Sequence, residues 1–318
     1  MGIFMDSINL NKISSYFANP LKKREERQNT NSSALKTLEK DTVSFSANAE
    51  LEKIARKIHK TGLQREMSFR TICENIFGNW NYKTRIKSPD SVANKIENKS
   101  AVEKLSFPQS IKIITDQAGA KVVTDGSQEA TDKIIEKLIK QIQADNITIT
   151  SIRNYHGSGI QPYLSKENIN LLKESQKNAP INVPQGKEVE KANGYTAGHI
   201  TGITKKGLNV EFQIKGPGVN LVDQSTHITH DLSLNKSGVK TIDSAHKRKL
   251  LAPIINAYNS LSPTQMTEYN KYLNKCYSIA RENEMSKQKS GFPAVPKGIP
   301  NLLGIEKISD TAKRFKHD

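Results

Sequence analysis

At 318 residues with 35% hydrophobic and 25% charged side chains, the chain is long enough for one large domain or two small ones, and polar enough to include tail or linker. Its 48 Lys and Arg against 32 Asp and Glu give a net charge of +16, a field that attracts polyanions: nucleotides, RNA, DNA or an acidic membrane surface. Two distant cysteines, Cys73 and Cys276, exclude a disulfide framework and a zinc knuckle; no apolar run approaches the roughly 18–20 residues of a membrane span, and MGIFMDSINL lacks the form of a signal peptide, so a cytoplasmic chain with no membrane partner is expected.

In chain order, residues 1–48 are rich in Ser, Asn and Lys and read as a disordered tail, with a short amphipathic piece over Phe4–Phe17. From Ala49 to Phe77, Leu51, Ile54, Ile58, Leu63, Phe69, Ile72 and Ile76 recur at helical spacing, with an interruption near Gly62 and a stop at Gly78. Trp80 and Tyr82 read as core or rim anchors. In TRIKSPDSVANKIENK, Ser88 caps a helix with Pro89 in its first turn, and Arg85, Lys87 and Lys95 gather cations at one end and flank of it. Ser110–Asp116 reads as a strand ending in a carboxylate, and Ala120–Val123 as a second apolar run.

Ser127 caps a helix with the stripe Ala130, Ile134, Ile135, Leu138, Ile139 and Ile142. A strand over Ile147–Tyr155, a helix capped by Ser165, and an exposed loop over residues 176–191 follow. Then comes NGYTAGHITGITKKGLNVEFQIKG: a glycine turn with an exposed Tyr195, and two strands joined by Lys205-Lys206-Gly207. Alternation puts Val210, Phe212 and Ile214 on a core face and Glu211, Gln213 and Lys215 on a polar face that either meets water or lines a phosphate and metal site. GPGVNLVDQSTHITHDLSL reads as loop turning into helix; His227 and His230 have metal-pair spacing but no third ligand. Helices broken at Pro263 occupy the region up to Met285, and the last thirty or so residues, with Pro293, Pro296 and Pro300, read as an extended basic tail. No GxxxxGK[ST], HExxH, GxSxG or strand-borne GxGxxG is present.

Four pieces in this order resemble the synthetase domain of RelA/SpoT-type alarmone enzymes: Arg85-Ile86-Lys87-Ser88-Pro89-Asp90-Ser91 with Lys95; Asp116 with Gly119 and Lys121; Asn193-Gly194-Tyr195 with His199; and Val210-Glu211-Phe212-Gln213-Ile214-Lys215. The resemblance implies an α+β fold, a mixed sheet of about five strands flanked by helices and related to nucleotidyltransferases. It divides the chain into a 1–48 tail, a 49–245 synthetase domain, 246–285 C-terminal helices and a 286–318 tail. It further implies Mg²⁺-dependent transfer of pyrophosphate from ATP to the ribose 3′-hydroxyl of GDP or GTP, giving a guanosine alarmone. Carried over by position, Asp116 and Glu211 are catalytic and hold the metal. Arg85, Lys87, Ser91, Lys95, Lys121 and Lys215 contact ATP, while Asn193, Gly194, Tyr195, His199 and Gln213 hold the acceptor. Lys121 and Lys215 stand where the family has arginine, which alone makes a two-pronged phosphate contact. With no HDxxxD-like cluster, synthesis without hydrolysis is expected. The alternatives are transfer to the 3′ end of tRNA, which a +16 chain suits, and an inactive nucleotide- or RNA-binding module. Some small relatives are homo-oligomers, and nothing in this sequence selects an oligomeric state.

Overall fold

The computed structural model describes residues 33–102, 114, 116–176, 179–233, 245–287 and 289–314. The chain divides into two compact units, Met1–Gln64 with Ile86–Gln117, and Arg65–Arg85 with Ala118–Asp318. The first described element is a helix, α1 (Ser33–Phe77), which starts well before Ala49. Residues 33–48 contain neither Pro nor Gly, so nothing in them stops the helix, while the Phe4–Phe17 piece lies outside the described residues. The interruption expected near Gly62 is absent too. A Cβ there would stand 2.7 Å from Ile86 Cγ2, so this glycine provides room for a neighbour and the helix carries it.

In the first unit, α2 (Pro89–Val102) begins as its sequence dictates: the Ser88 hydroxyl accepts from the Ser91 amide at 3.3 Å, and Pro89 needs no donor in the first turn. Its Val92 and Ile96 pack with Leu51, Ile54, Ala55 and Ile114 into a small apolar cluster. Burying such side chains contributes on the order of 1.5–3 kcal/mol each.

The second unit is built on a five-stranded sheet in the order β1-β2-β5-β4-β3, where β1 is Asn81–Ile86, β2 Ala118–Val123, β3 Ile147–Tyr155, β4 Ala197–Thr204 and β5 Asn209–Lys215. β2 runs parallel to β5, and β4 runs antiparallel to both β5 and β3. The mixed sheet with flanking helices is the α+β fold expected. β1 was not legible, because NYKTRI is an edge strand whose outward positions are all exposed. The strand expected over 110–116 falls largely outside the described residues. The described strand is Ala118–Val123, and Asp116 lies just before it.

Phe212 on the apolar face of β5 meets Phe69 and Phe77 of α1, at ring separations of 6.1 and 5.5 Å. The helix α3 (Gln128–Gln143) is capped by Ser127, whose hydroxyl accepts from the Ala130 amide, and buries Ala130, Ile134, Ile135, Leu138 and Ile142. A capping box between Ser165 and Asn168 starts α4 (Lys166–Ser175), and the β4–β5 hairpin turns at Gly207 with φ +76°.

Four more described helices complete this unit: α5 (Pro217–Ser233), α6 (Ala245–Asn259), α7 (Pro263–Ser286) and α8 (Ile305–Arg314). Pro263 does break the helical region, with Ser262 capping α7 and Gln265 closing the box. Two expectations are corrected here. The run after Gly216 is helical from Pro217 onward, because Glu284 of α7 accepts from the Val219 amide at 2.8 Å and supplies a cap the local sequence lacks. The C-terminal segment is not an extended tail: Ile299, Leu303, Ile305 and Ile308 are buried, and the first three join one apolar cluster with Leu251, Ile254, Tyr269, Leu273 and Tyr277. No described helix is long and apolar enough to cross a membrane.

Candidate active site

In the first unit, Asp116 draws two of the expected phosphate contacts onto itself. Lys87 Nζ donates to Oδ2 and Lys95 Nζ to Oδ1, both at 2.6 Å, with all three side chains mostly shielded. Lys87 is held in place by its own backbone, since its amide donates to Gln117 O at 2.9 Å and its carbonyl meets His59 Nδ1 at 2.9 Å. Ser91 is exposed, and its hydroxyl accepts from Ser88 at 2.9 Å. The group leaves a net charge of +1 beside a helix start, a setting that suits phosphate.

In the second unit the polar side chains form rows across the sheet. Register pairs Lys121 with Gln213, Gln213 with His199, and His199 with Arg153, one residue from each of β2, β5, β4 and β3. Two residues along, on the same face, Glu211 stands between Gly119 and Thr201. Gly119 carries no side chain, and the exposed Arg85 of β1 runs across it: Arg85 Nε lies 3.9 Å from where a Cβ would be.

A hydrogen-bonded chain runs through this face. The Tyr195 hydroxyl meets His199 Nε2 at 2.8 Å, His199 Nδ1 meets Glu211 Oε1 at 3.0 Å, and Gln213 Nε2 donates to Glu211 Oε2 at 2.7 Å. With Nδ1 donating to the carboxylate, Nε2 accepts from the phenol, so one tautomer satisfies every link. Tyr195 comes from the turn that Gly194 makes at φ +81°, and Asn193 Oδ1 fixes that turn by accepting from the Tyr195 amide. Burial pushes the Tyr195 phenol well above its ordinary value, with nearby Asp223 adding to it, so the ring remains a neutral donor.

The site differs from its expected form in three places. Tyr195 is partly buried rather than exposed: Lys215 Nζ lies 4.7 Å from its ring centre, and the rings of Tyr155, Tyr277 and His230 surround it, His230 nearly parallel at 6.4 Å. Lys215 is only 1% exposed and pairs with Asp223 of α5 at 2.7 Å, so the alternation that places Glu211 and Gln213 on a partly open face does not open the third residue. Lys121 also faces Asp223, at 3.8 Å. Burial lowers the Lys215 ammonium pKa against the counter-pull of Asp223. Burial likewise pushes Asp223 up, but Lys215, its hydrogen bond and Lys121 together hold that carboxyl below its ordinary value.

Sequence reasoning missed Arg153, Tyr155, Lys191 and Asp223. The alternation of β3 was a usable signal for Arg153, which faces the same way as His199; Lys191 and Asp223 had none. Lys191 Nζ stands 4.5 Å over the Tyr155 ring, and burial together with Arg153 lowers its pKa. A cleft of about 390 Å³ lies alongside, lined by Ser158, Lys187, Glu190, Lys191, Lys271 and Asn274 among others.

Among the described residues, no group of three or more His, Cys, Asp or Glu side chains forms a metal cage. His227 and His230 therefore make no metal pair with a third ligand there. No curated protein matches the chain. A family model described as a region found in RelA / SpoT proteins matches residues 84–233, a span that contains every candidate residue from Arg85 to Lys215. Over residues 84–233, somewhat less than half of its length, this chain is similar to RelA / SpoT proteins.

Proposed function

We propose that the chain is a pyrophosphokinase that transfers pyrophosphate from ATP to the ribose 3′-hydroxyl of GDP or GTP. The observation that carries this reading is the chain Tyr195–His199–Glu211–Gln213. It orients an aromatic ring, an imidazole and a carboxylate on one sheet face, in a segment matched to the RelA/SpoT family. Such transfer needs positioning and charge stabilisation more than covalent help. Glu211 would draw the proton from the attacking hydroxyl, with Gln213 and His199 fixing its two oxygens. Tyr195 would stack on the acceptor base, a contact of about 1–3 kcal/mol. Arg85, Lys87, Lys95 and Lys121 would neutralise ATP phosphates, with Ser91 beside them. Lys215, being buried, would act by holding Tyr195 and Asp223.

Magnesium takes one or two carboxylates and keeps its remaining positions for waters and phosphate oxygens, so the absence of a cage among the described residues suits it. Asp116 in the first unit and Glu211 in the second are each a hard oxygen donor that would suit it, and the ion would supply charge neutralisation on the ATP oxygens. Lys87 and Lys95, which now donate to Asp116, are the ammoniums that would neutralise phosphate oxygens beside it.

A second reading, transfer to the 3′ end of tRNA, is favoured by the cleft of Lys187, Lys191 and Lys271, whose lining continues directly into the Asn193–Tyr195 turn. The test is incubation with ATP labelled in the β and γ phosphates, Mg²⁺ and, in parallel, GDP, GTP or deacylated tRNA. Label in a guanosine tetra- or pentaphosphate that disappears in Glu211→Gln supports the first reading, and label in tRNA the second. Label in neither, with wild type and variant alike, refutes both and leaves an inactive binding module.

A further inference from the structure

Four glycines sit in four loops at one end of the sheet: Gly126 after β2, Gly216 after β5, Gly157 after β3 and Gly194 before β4. Each is pressed by the same helix, α7. A Cβ at Gly126 would stand 2.6 Å from Glu284 Cβ, and one at Gly216 only 2.2 Å from Glu284 Cδ. A Cβ at Gly157 would stand 2.2 Å from Asn274 Oδ1, and one at Gly194 2.4 Å from Asn274 Cα. None of these contacts leaves space for a side chain, so two pairs of glycines form notches that seat two residues of α7.

Asn274, Tyr277, Arg281 and Glu284 follow at steps of three, four and three, and so share one helix face. Tyr277 packs edge-on against Tyr195 at 6.1 Å. Arg281 lies over the Tyr163 ring at 4.1 Å, donates to Gly126 O and Gln161 O, and pairs with Glu284 at 3.2 Å. Glu284 accepts from Tyr163 OH at 2.6 Å and from the Val219 amide, while Tyr163 OH accepts from the Gly216 amide at 2.7 Å. From Asn274 to Glu284 the helix rises about 15 Å, enough to cross the two strand spacings, about 10 Å, between the β3–β4 loops and the β5–β2 loops.

We propose that α7 is a strut that fixes the distance between the Tyr195 turn and the β5–α5 junction bearing Lys215 and Asp223, with Asn274 and Glu284 as positioning residues at its two ends. The strut lies outside the RelA/SpoT region at 84–233, and nothing in that match assigns it a role. Lys215 reaches Tyr195 and Asp223 at once, so a shift at either end of the strut misaligns the ring. For its catalytic consequence the inference rests on the proposed function; for its mechanical content it does not.

Spatial intermediacy alone is no proof of coupling, so the test perturbs one end and reads the other. Hydrogen exchange by mass spectrometry on the full chain compares wild type with Glu284→Gln and with Asn274→Ala. Glu284→Gln is expected to speed exchange at 216–223 and also, by threefold or more, at 193–198, leaving α3 unchanged. Asn274→Ala is expected to do the reverse, starting at 193–198 and reaching 216–223, and it serves if the first variant folds poorly. Change confined to the perturbed end in both variants overturns the strut, as does equal acceleration throughout α3, which is plain destabilisation. If the wild type transfers pyrophosphate to GDP, both variants should raise the acceptor KM at least fivefold and leave the ATP KM within twofold. Equal loss on both substrates refutes the positioning role. If the wild type transfers nothing, the proposed function fails while the exchange result still decides the strut.

Discussion

Removing the anion from the buried pair under Tyr195 is the sharpest test of the site's electrostatics. In Asp223→Asn, the Lys215 ammonium keeps its 1% exposure and loses the carboxylate at 2.7 Å. Stripping one partner from a buried pair costs about 3–5 kcal/mol, since the remaining charge is left uncompensated. At roughly 2–4 °C per kcal/mol for a large domain, the thermal midpoint should fall by about 6–20 °C. Lys215→Met should cost less, about 1–3 kcal/mol, because Asp223 is 17% exposed and retains Lys121 at 3.8 Å. The double variant Lys215→Met/Asp223→Leu should return close to wild type, as apolar replacements of buried pairs commonly do. Urea and thermal unfolding followed by circular dichroism give the cycle. An Asp223→Asn cost below about 1 kcal/mol, or a double variant as unstable as the sum of the singles, refutes the reasoning. The pH dependence carries a sign. Asp223 titrates below its ordinary 3.8 when folded, so its contribution is complete above 3.8 and is lost as pH falls through the folded value. The stability gap between wild type and Asp223→Asn should therefore close in that acidic window.

Glu284 should behave oppositely. Burial raises its carboxyl above the ordinary 4.5 despite Tyr163, Val219 and Arg281, so the stability of wild type relative to Glu284→Gln is greatest below 4.5 and declines as pH climbs through the raised value; a flat difference across that range contradicts this. Gly194→Ala and Gly159→Ala both place a side chain at positive φ, but a Cβ at Gly159 meets open space while one at Gly194 meets Asn274. The Gly159 variant should lose about 1–2 kcal/mol and the Gly194 variant clearly more in the same urea titration. Deleting residues 298–318 removes the buried Ile299, Leu303, Ile305 and Ile308, on the order of 6–12 kcal/mol of burial, and limited proteolysis should then cut within α6 and α7. Unchanged resistance would mean these side chains are dispensable.

Much of the fold could be read locally because local chemistry decided it. Ser127, Ser165 and Ser262 each cap the helix that follows, and the turn at Gly207 joins two strands whose alternation buries Val210, Phe212 and Ile214. What was hidden depended on partners far along the chain. Gly216-Pro217-Gly218 looks like a loop in isolation and begins a helix only because Glu284 caps it from 65 residues away. Lys215 belongs by alternation to a polar face, and it is buried because Asp223, in the second turn of α5, returns to meet it. The prolines of the C-terminal segment signalled extension, while four aliphatic residues spaced across 299–308 carried the opposite message. Within the candidate site, the Lys87–Asp116–Lys95 grouping joins residues that were chosen one by one, and their mutual contact could not be seen from spacing.

The glycine notches bear on where this molecule can be cut. The segment similar to RelA / SpoT proteins ends at Ser233, yet the amide of Val219 finds its acceptor in α7 and the floor beneath Gly194 is Asn274. An excised 84–233 fragment would expose two vacant notches and leave that amide of α5 without its buried carboxylate. The stretch matched by the family model is thus smaller than the packed unit it belongs to. Expression boundaries, fusions and domain transplants would have to extend through α8 to keep α7 seated on that end of the sheet.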